Sequence, residues 1–300
     1  MKILNFGSLN IDYVYSVEHF VRAGETISST ELELFAGGKG LNQSVAFSRA
    51  GAETYHAGCI GSEGEFLVNM LRNSGVNTDF VRCLNDTPSG HAIIQVNSSG
   101  ENCIMLYGGA NKKIADSFMD EVFSNFGDGD LLMLQNEVND LDKMIRKAKS
   151  RKMKVALNPS PFNDVITSLD FSLVDYIILN ETEGQELTQS SEANEIIDVL
   201  TNKYPHMTVI LTLGSRGSVY AYKDIRIKQD IFKATVVDTT AAGDTFTGYF
   251  FAALTSGKNP DIALRIASAA SSITVSRKGA APSIPTMDEV MASNAFTQNN

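Results

Sequence analysis

The stretch best equipped for chemistry is Asp238-Thr239-Thr240-Ala241-Ala242-Gly243-Asp244-Thr245-Phe246-Thr247-Gly248. It follows the apolar run Ala234 to Val237, which reads as a strand. It opens a helix marked by Phe246, Tyr249, Phe250 and Ala253. Small residues at 241–243 let the backbone approach a ligand closely. First-turn N–H groups have no partner inside the helix and favour an anion. Asp244 sits in that turn, a base beside an anion site. Phosphorylation of a hydroxyl needs both a proton acceptor and a preformed cradle for the charge on the moving phosphoryl group. A Gly-Asp pair alone would mean less, because a first-turn carboxylate stabilises a helix by about 0.3–1 kcal/mol with no chemistry at all. The whole string carries the reading.

Other polar groups stand near glycines. Ala36-Gly37-Gly38-Lys39-Gly40-Leu41-Asn42-Gln43-Ser44 ends a strand and starts a helix. Lys39 and Asn42 supply donors for hydroxyls, or a tight turn simply carries a solvated lysine. The spacing of a P-loop is absent. In Gly7-Ser8-Leu9-Asn10-Ile11-Asp12, the alternation points Asn10 and Asp12 the same way from an extended backbone. They suit two sugar hydroxyls, or cap an ordinary turn. Glu137 follows Leu131-Leu132-Met133-Leu134, at a strand's carboxyl end, where sheets of this kind bind ligands. Asn180 and Glu183 follow Tyr176-Ile177-Ile178-Leu179 with the spacing of a capping box, and Glu183 can also reach a metal-bound water. Thr212 to Gly217 is a glycine turn after an apolar strand. Arg277-Lys278-Gly279-Ala280-Ala281-Pro282 also reads as a basic helix end.

The elements that position these residues alternate. A strand at 3–7 is followed by helices at 40–50 and 63–74. From residue 115 the order is helix 115–126, strand 130–134, helix 140–151, strand 154–158, strand 175–179, helix 181–187, helix 192–203 and strand 208–213. A β pair at 217–232 and helices at 243–256 and 260–275 complete it. This predicts an α/β fold: a three-layer, doubly wound, mostly parallel sheet covered on both faces. Segments 9–35 and 89–107 fall outside the alternation. They read as a small β lid on a single domain spanning 1–300, able to exclude water from a phosphoryl-transfer site. The polar tail after Ala292 reads as frayed.

Composition narrows the function. The 300 residues are 43% hydrophobic and 20% charged, which is ordinary for a globular domain. A net charge of −10 argues against nucleic acid as a partner but not against a nucleotide in a local pocket. No apolar run approaches a membrane span, and the N-terminus lacks the features of a secretory signal. Cys59, Cys83 and Cys103 are scattered and odd in number, which suits a reducing, cytoplasmic compartment. The four histidines share no metal spacing, and no Gly-x-Gly-x-x-Gly follows an early strand.

The Gly-Gly-Lys-Gly-x-Asn stretch and the Asp-Thr-Thr-Ala-Ala-Gly-Asp-Thr-Phe stretch, in this order and separation, resemble the two signatures of the ribokinase-like (phosphofructokinase-B type) carbohydrate kinases. The likeness runs over nearly the whole chain. It is nearest to the ribokinase branch through Gly109-Ala110-Asn111, Asn180-Glu181-Thr182-Glu183 and Thr212-Leu213-Gly214-Ser215-Arg216-Gly217, among other stretches. The resemblance implies that ATP phosphorylates a sugar, D-ribose before deoxyribose, fructose or a nucleoside; a silent sugar- or nucleotide-binding regulator is the rival from another class. It implies that Asn10, Asp12, Gly38, Lys39, Asn42 and Glu137 bind the sugar, that Asp244 is the base, and that Ala241, Ala242 and Gly243 form the anion hole. Asn180, Thr212, Gly214, Ser215, Gly217, Gly243 and Ser268 would bind ATP, with Ser268 standing where some ribokinases carry a histidine. Glu183 would organise Mg2+ through water. Asp238, Thr240, Thr274, Arg277, Gly279 and Ser283 would surround K+. A homodimer paired through the lid is implied as well.

Overall fold

Apolar strands buried on both faces need helices on both sides, and the larger of two sheets obeys that rule. The computed structural model describes residues 1–297. Its strands are β1 (Ile3–Phe6), β2 (Asn10–Ser16), β3 (Glu31–Gly37), β4 (Thr54–Gly61), β5 (Asn77–Leu84), β6 (Gly90–Val96), β7 (Asn102–Tyr107), β8 (Leu131–Gln135), β9 (Lys154–Asn158), β10 (Tyr176–Asn180), β11 (Thr208–Thr212), β12 (Ser218–Tyr222) and β13 (Ile225–Gln229). Its helices are α1 (Lys39–Arg49), α2 (Glu65–Asn73), α3 (Asp116–Phe123), α4 (Leu141–Ser150), α5 (Asp164–Thr167), α6 (Glu181–Thr188), α7 (Ala193–Lys203), α8 (Ala242–Thr255), α9 (Pro260–Thr274), α10 (Met287–Met291) and α11 (Asn294–Thr297).

Nine strands form the main sheet in the order β13-β12-β11-β10-β9-β8-β1-β4-β5. It is parallel from β5 to β11, and β12 and β13 close the far edge antiparallel. Period-2 alternation splits the core. Leu4, Phe6, Leu132, Leu134 and Val155 face α3, α4 and α7, whereas Ile3, Met133, Ala156 and Ile178 face α1, α2, α8 and α9. The doubly wound layers expected from the alternation are present.

The second sheet has four strands in the order β3-β2-β6-β7. It draws on the segments around 9–35 and 89–107, with β2 and β6 parallel and the outer pairs antiparallel. Only Gly7-Ser8-Leu9 separates β1 from β2, so this sheet rises directly from the carboxyl end of a central strand. Chain enters α1 from β3 through Gly38, at φ +96, a conformation that glycine adopts without strain.

Three local expectations need correction. Ala234 to Val237 is not a strand: Val236 and Val237 are exposed, and the Val237 and Asp238 amides donate to the Val275 carbonyl instead of to a sheet edge. Strands β4 and β5 go unread, because Tyr55-His56-Ala57-Gly58 looks like a turn and β5 is a half-exposed edge without an apolar run. The tail after Ala292 forms the helical turn α11 before leaving the described residues.

Candidate active site

Ala241 precedes α8 at φ 60. That left-handed conformation costs a residue with a Cβ about 1–2 kcal/mol, and strain of this kind gathers where a ligand is clamped. It turns the chain so that the amides of Gly243 and Asp244 open the helix without intrahelical acceptors. Asp244 is 8% exposed. Asn42 Nδ2 donates to its Oδ2 at 3.0 Å, and Gln43 Nε2 donates to its Oδ1 at 2.9 Å. Both donors lie in α1, so a base near the end of the chain is held by a helix near its start.

A second cluster surrounds the start of α1. Glu137, just past β8, accepts the Lys39 amide at 3.0 Å and the Ser8 hydroxyl on the same Oε2. Ser8 Oγ in turn accepts the Gly40 amide at 3.1 Å. Burial pulls the Lys39 ammonium down, but the carboxylates of Asp244, Glu137 and Glu183 outweigh it, so it is held above its usual range. Asp12 moves the opposite way: burial, and then the charge of Glu137, push its carboxyl up to about 7. Gly37 gives Asp12 its room, since a Cβ there would lie 2.1 Å from Asp12 Oδ2. Asn10 Oδ1 accepts from Asn111 Nδ2 at 2.7 Å, and Asn111 Oδ1 accepts the Leu9 amide at 3.0 Å. The expected sugar-side residues therefore gather around Gly38 and the carboxyl ends of β1 and β8.

Beyond the amide end of α8 lies a cavity of about 450 Å³. Asn180, Thr212, Gly214, Ser215, Gly217, Gly243 and Ser268, all expected to hold a nucleotide, line it. Gly217, at φ +90, is pinned by space: a Cβ would sit 2.1 Å from the Gln229 carbonyl. Ser268 turns its hydroxyl to the Asp230 carbonyl at 3.1 Å. Glu183 is buried beside this cavity in the capping box: it accepts the Asn180 amide at 3.0 Å, while Asn180 Oδ1 accepts the Glu183 amide at 2.9 Å.

The set expected around a monovalent cation is brought together in part. Asp238 Oδ1 accepts from the Thr240 amide and hydroxyl, at 2.9 and 2.7 Å, and Oδ2 accepts the Gly279 amide at 2.9 Å. Burial pushes Asp238 up, yet these donors win and hold it below its usual range. Thr274 Oγ1 meets Thr245 Oγ1 at 3.0 Å, tying the segment to α8. Arg277 pairs with Glu289 at 2.6 Å, and Ser283 donates to the Ala280 carbonyl. Their side chains serve the local fold there.

Sequence reasoning missed Asn5, Ser8, Gln43, Asn111 and Gln135. All are buried polar residues bonded to one another or to expected site residues. A signal existed for two of them: Asn5 and Gln135 interrupt apolar strands where a core side chain is due.

Comparison with known proteins agrees with this geometry. The pfkB family carbohydrate kinase profile matches residues 1–287. The chain is 36% identical over 293 residues to the ribokinase of Haemophilus influenzae, covering 95% of each. It superimposes on the Arabidopsis thaliana ribokinase complexed with ribose and ATP at a TM-score of 0.86 and 32% identity, covering 96% of this chain and 97% of that one. The Cryptococcus neoformans ribokinase in complex with ADP gives 0.85 and 32%, over 96% and 98%. With its two signature stretches meeting at Asp244 on this fold, the chain belongs to the pfkB family of carbohydrate kinases.

Proposed function

We propose that this chain transfers the γ-phosphoryl group of ATP to the 5-hydroxyl of D-ribose, giving D-ribose 5-phosphate and ADP. What carries the proposal is the Asp244 carboxylate, held by Asn42 and Gln43 on the α1 side and adjoining, through Gly243, a cavity of nucleotide size on the other. The ribokinase relatives supply the sugar, and the Arabidopsis thaliana protein was solved with ribose and ATP.

In this reading Asn10, Asp12, Lys39, Asn42 and Glu137 hold the sugar hydroxyls, with Gly38 allowing the close approach. Asp244 accepts the proton of the attacking hydroxyl as the oxygen bonds to the γ-phosphorus and the bond to the ADP oxygen breaks. The Ala241 to Gly243 turn stabilises the charge that develops on the transferring group, chiefly through the Gly243 amide, since the Ala242 amide donates to the Thr239 carbonyl at 3.2 Å. Asn180, the Thr212–Gly217 turn and Ser268 hold ATP. Magnesium, bound with the nucleotide, neutralises phosphate charge; Glu183 fits a metal-bound water, because its capping-box bond uses one carboxylate oxygen. Potassium suits the segment of Asp238, Thr240, Thr274, Arg277, Gly279 and Ser283, whose donors are hydroxyls, carbonyls and one carboxylate, all hard oxygens.

The chain is read as one kinase domain whose small sheet acts as a lid that excludes water. Leu34, Tyr13, Ile93 and Met105 lie in one row across that sheet, and Leu34 and Met105 are 53% and 64% exposed. Such a row supports a homodimer through the lid. No helix among the described residues is long and apolar enough to cross a membrane, and the scattered cysteines support a cytoplasmic setting.

The test is ADP release from magnesium–ATP across pentoses, hexoses and nucleosides, with and without potassium. Turnover confined to ribose and raised by potassium is expected. Turnover confined to another sugar moves the specificity. Binding without ADP release overturns the reading in favour of a silent regulator.

A further inference from the structure

Three neighbouring strands break the rule that built the sheet. On the face covered by α1, β1 follows Ile3 with Asn5, β4 follows Thr54 with His56, and β8 follows Leu131 and Met133 with Gln135. Asn5, His56 and Gln135 are 0% exposed, and Gln43 of α1 is 1% exposed. Aliphatic side chains would fill this place at no polar cost. Buried amides and an imidazole are tolerated only when hydrogen-bonded.

They are bonded to one another in a single sense. Gln43 Nε2 donates to Asp244 Oδ1 at 2.9 Å, and Gln43 Oε1 accepts from Gln135 Nε2 at 2.6 Å. The same Gln135 nitrogen donates to Asn5 Oδ1 at 2.9 Å. Asn5 Nδ2 donates to the Gly40 carbonyl at 2.7 Å and to Ser44 Oγ at 2.8 Å, and Ser44 Oγ lies 2.8 Å from His56 Nδ1. A carboxylate only accepts, so Gln43 must turn its NH2 toward Asp244 and its carbonyl away. That carbonyl needs a donor, which Gln135 supplies. At the other end, Asn5 occupies the Ser44 oxygen, so the Ser44 proton goes to His56 Nδ1. Burial drags His56 down to about 3 despite the Gly7 carbonyl, and the neutral ring accepts there. The Gln43 and Asn5 amides are each oriented from both ends, whereas Gln135 is held through its nitrogen alone, which donates to both of them while its buried Oε1 has no hydrogen-bond partner among the described residues.

We propose that Gln43 is a positioning residue for phosphoryl transfer, its amide locked by Gln135 and Asn5 so that it holds Asp244 Oδ1 in one orientation toward the sugar hydroxyl. Gln43 is 1% exposed and both ends of its amide are taken up by Asp244 and Gln135, so it acts through Asp244 and not on substrate. The inference rests on the reading of Asp244 as the base.

Gln43→Met and Gln135→Met keep volume and remove the hydrogen bonds. Turnover and sugar KM are measured across pH, beside thermal melts and the Asp244→Asn variant. Gln43→Met is expected to lower kcat about 10- to 100-fold and to leave sugar KM within about threefold. The pH at which turnover falls on the acid side should move up, because a donor that favoured the carboxylate is gone. Gln135→Met should move both quantities in the same direction by less. The double variant should be no worse than Gln43→Met alone, since both act through one bond to Asp244. Where a methionine variant does not fold, Gln43→Glu carries the test: two adjacent carboxyls do not both ionise, and the acid side again moves up. An unmoved acid side, an unchanged kcat in Gln43→Met, or losses that add in the double variant would overturn the proposal. Near-normal turnover in Asp244→Asn would sink the base itself, and the inference with it. An inactive Asp244→Asn beside a normal Gln43→Met would remove the positioning role alone.

Discussion

Gly248 of α8 lies so close to Ala46 of α1 that a Cβ built on it would stand 2.2 Å from the Ala46 Cβ. The contact lets Asn42 and Gln43, one turn earlier on α1, reach Asp244, one turn earlier on α8. Two effects oppose each other in Gly248→Ala. Helix propensity improves by about 1 kcal/mol, while overpacking costs about 1–3 kcal/mol. The nearby atoms are a short side chain and backbone, which cannot swing away, so the clash wins. The variant should melt lower and lose about 10- to 100-fold in kcat as α1 is pushed off the base. Thermal melting and ADP release check both.

Asp244→Asn keeps the shape and removes the proposed proton acceptor. A fall in kcat of about 10²–10⁴-fold with sugar binding retained by calorimetry is expected. Loss of sugar binding in step with turnover would instead mark Asp244 as a binding group.

Asp12 makes stability depend on pH in a predictable sense. Its folded-state value of about 7 lies above the unfolded value of 3.8. Between these the folded chain binds the extra proton, so stability is full below 3.8 and is lost as pH rises through about 7. Asp12→Asn is neutral throughout, and its stability advantage over the parent should widen across that window and then level off. Denaturant unfolding at a series of pH values measures this. A carboxylate that accepts sugar hydroxyls must be ionised, so sugar KM of the parent should rise as pH drops below about 7.

Gly37→Ala sets a methyl group 2.1 Å from Asp12 Oδ2. The carboxylate must move from its place beside Gly37, and with it the proposed contact to the sugar. Sugar KM should rise about tenfold or more while ATP KM stays near the parent's, because Gly37 is not among the residues that line the cavity beside Gly243. Equal rises in both would mean that the lid as a whole has shifted.

The alternation of apolar strands with amphipathic helices was readable without coordinates, because each periodicity is written locally in about a dozen residues. The glycine-flanked starts of α1 and α8 were readable for the same reason: a tight turn, a bare helix end and a carboxylate are local features. Folding decided what long-range packing decides. Strands β4 and β5 pair beside β1 although their own residues barely announce a strand. Ala234 to Val237 stays out of the sheet although its residues do announce one. Asn42 meets Asp244 across 202 positions of chain only because Gly248 brings two helices together. Asn5, Gln43 and Gln135 look like misplaced polar residues one at a time. They become a bonded network only when β1, β8 and α1 are stacked, since a hydrogen bond between distant segments leaves no periodic trace in either one.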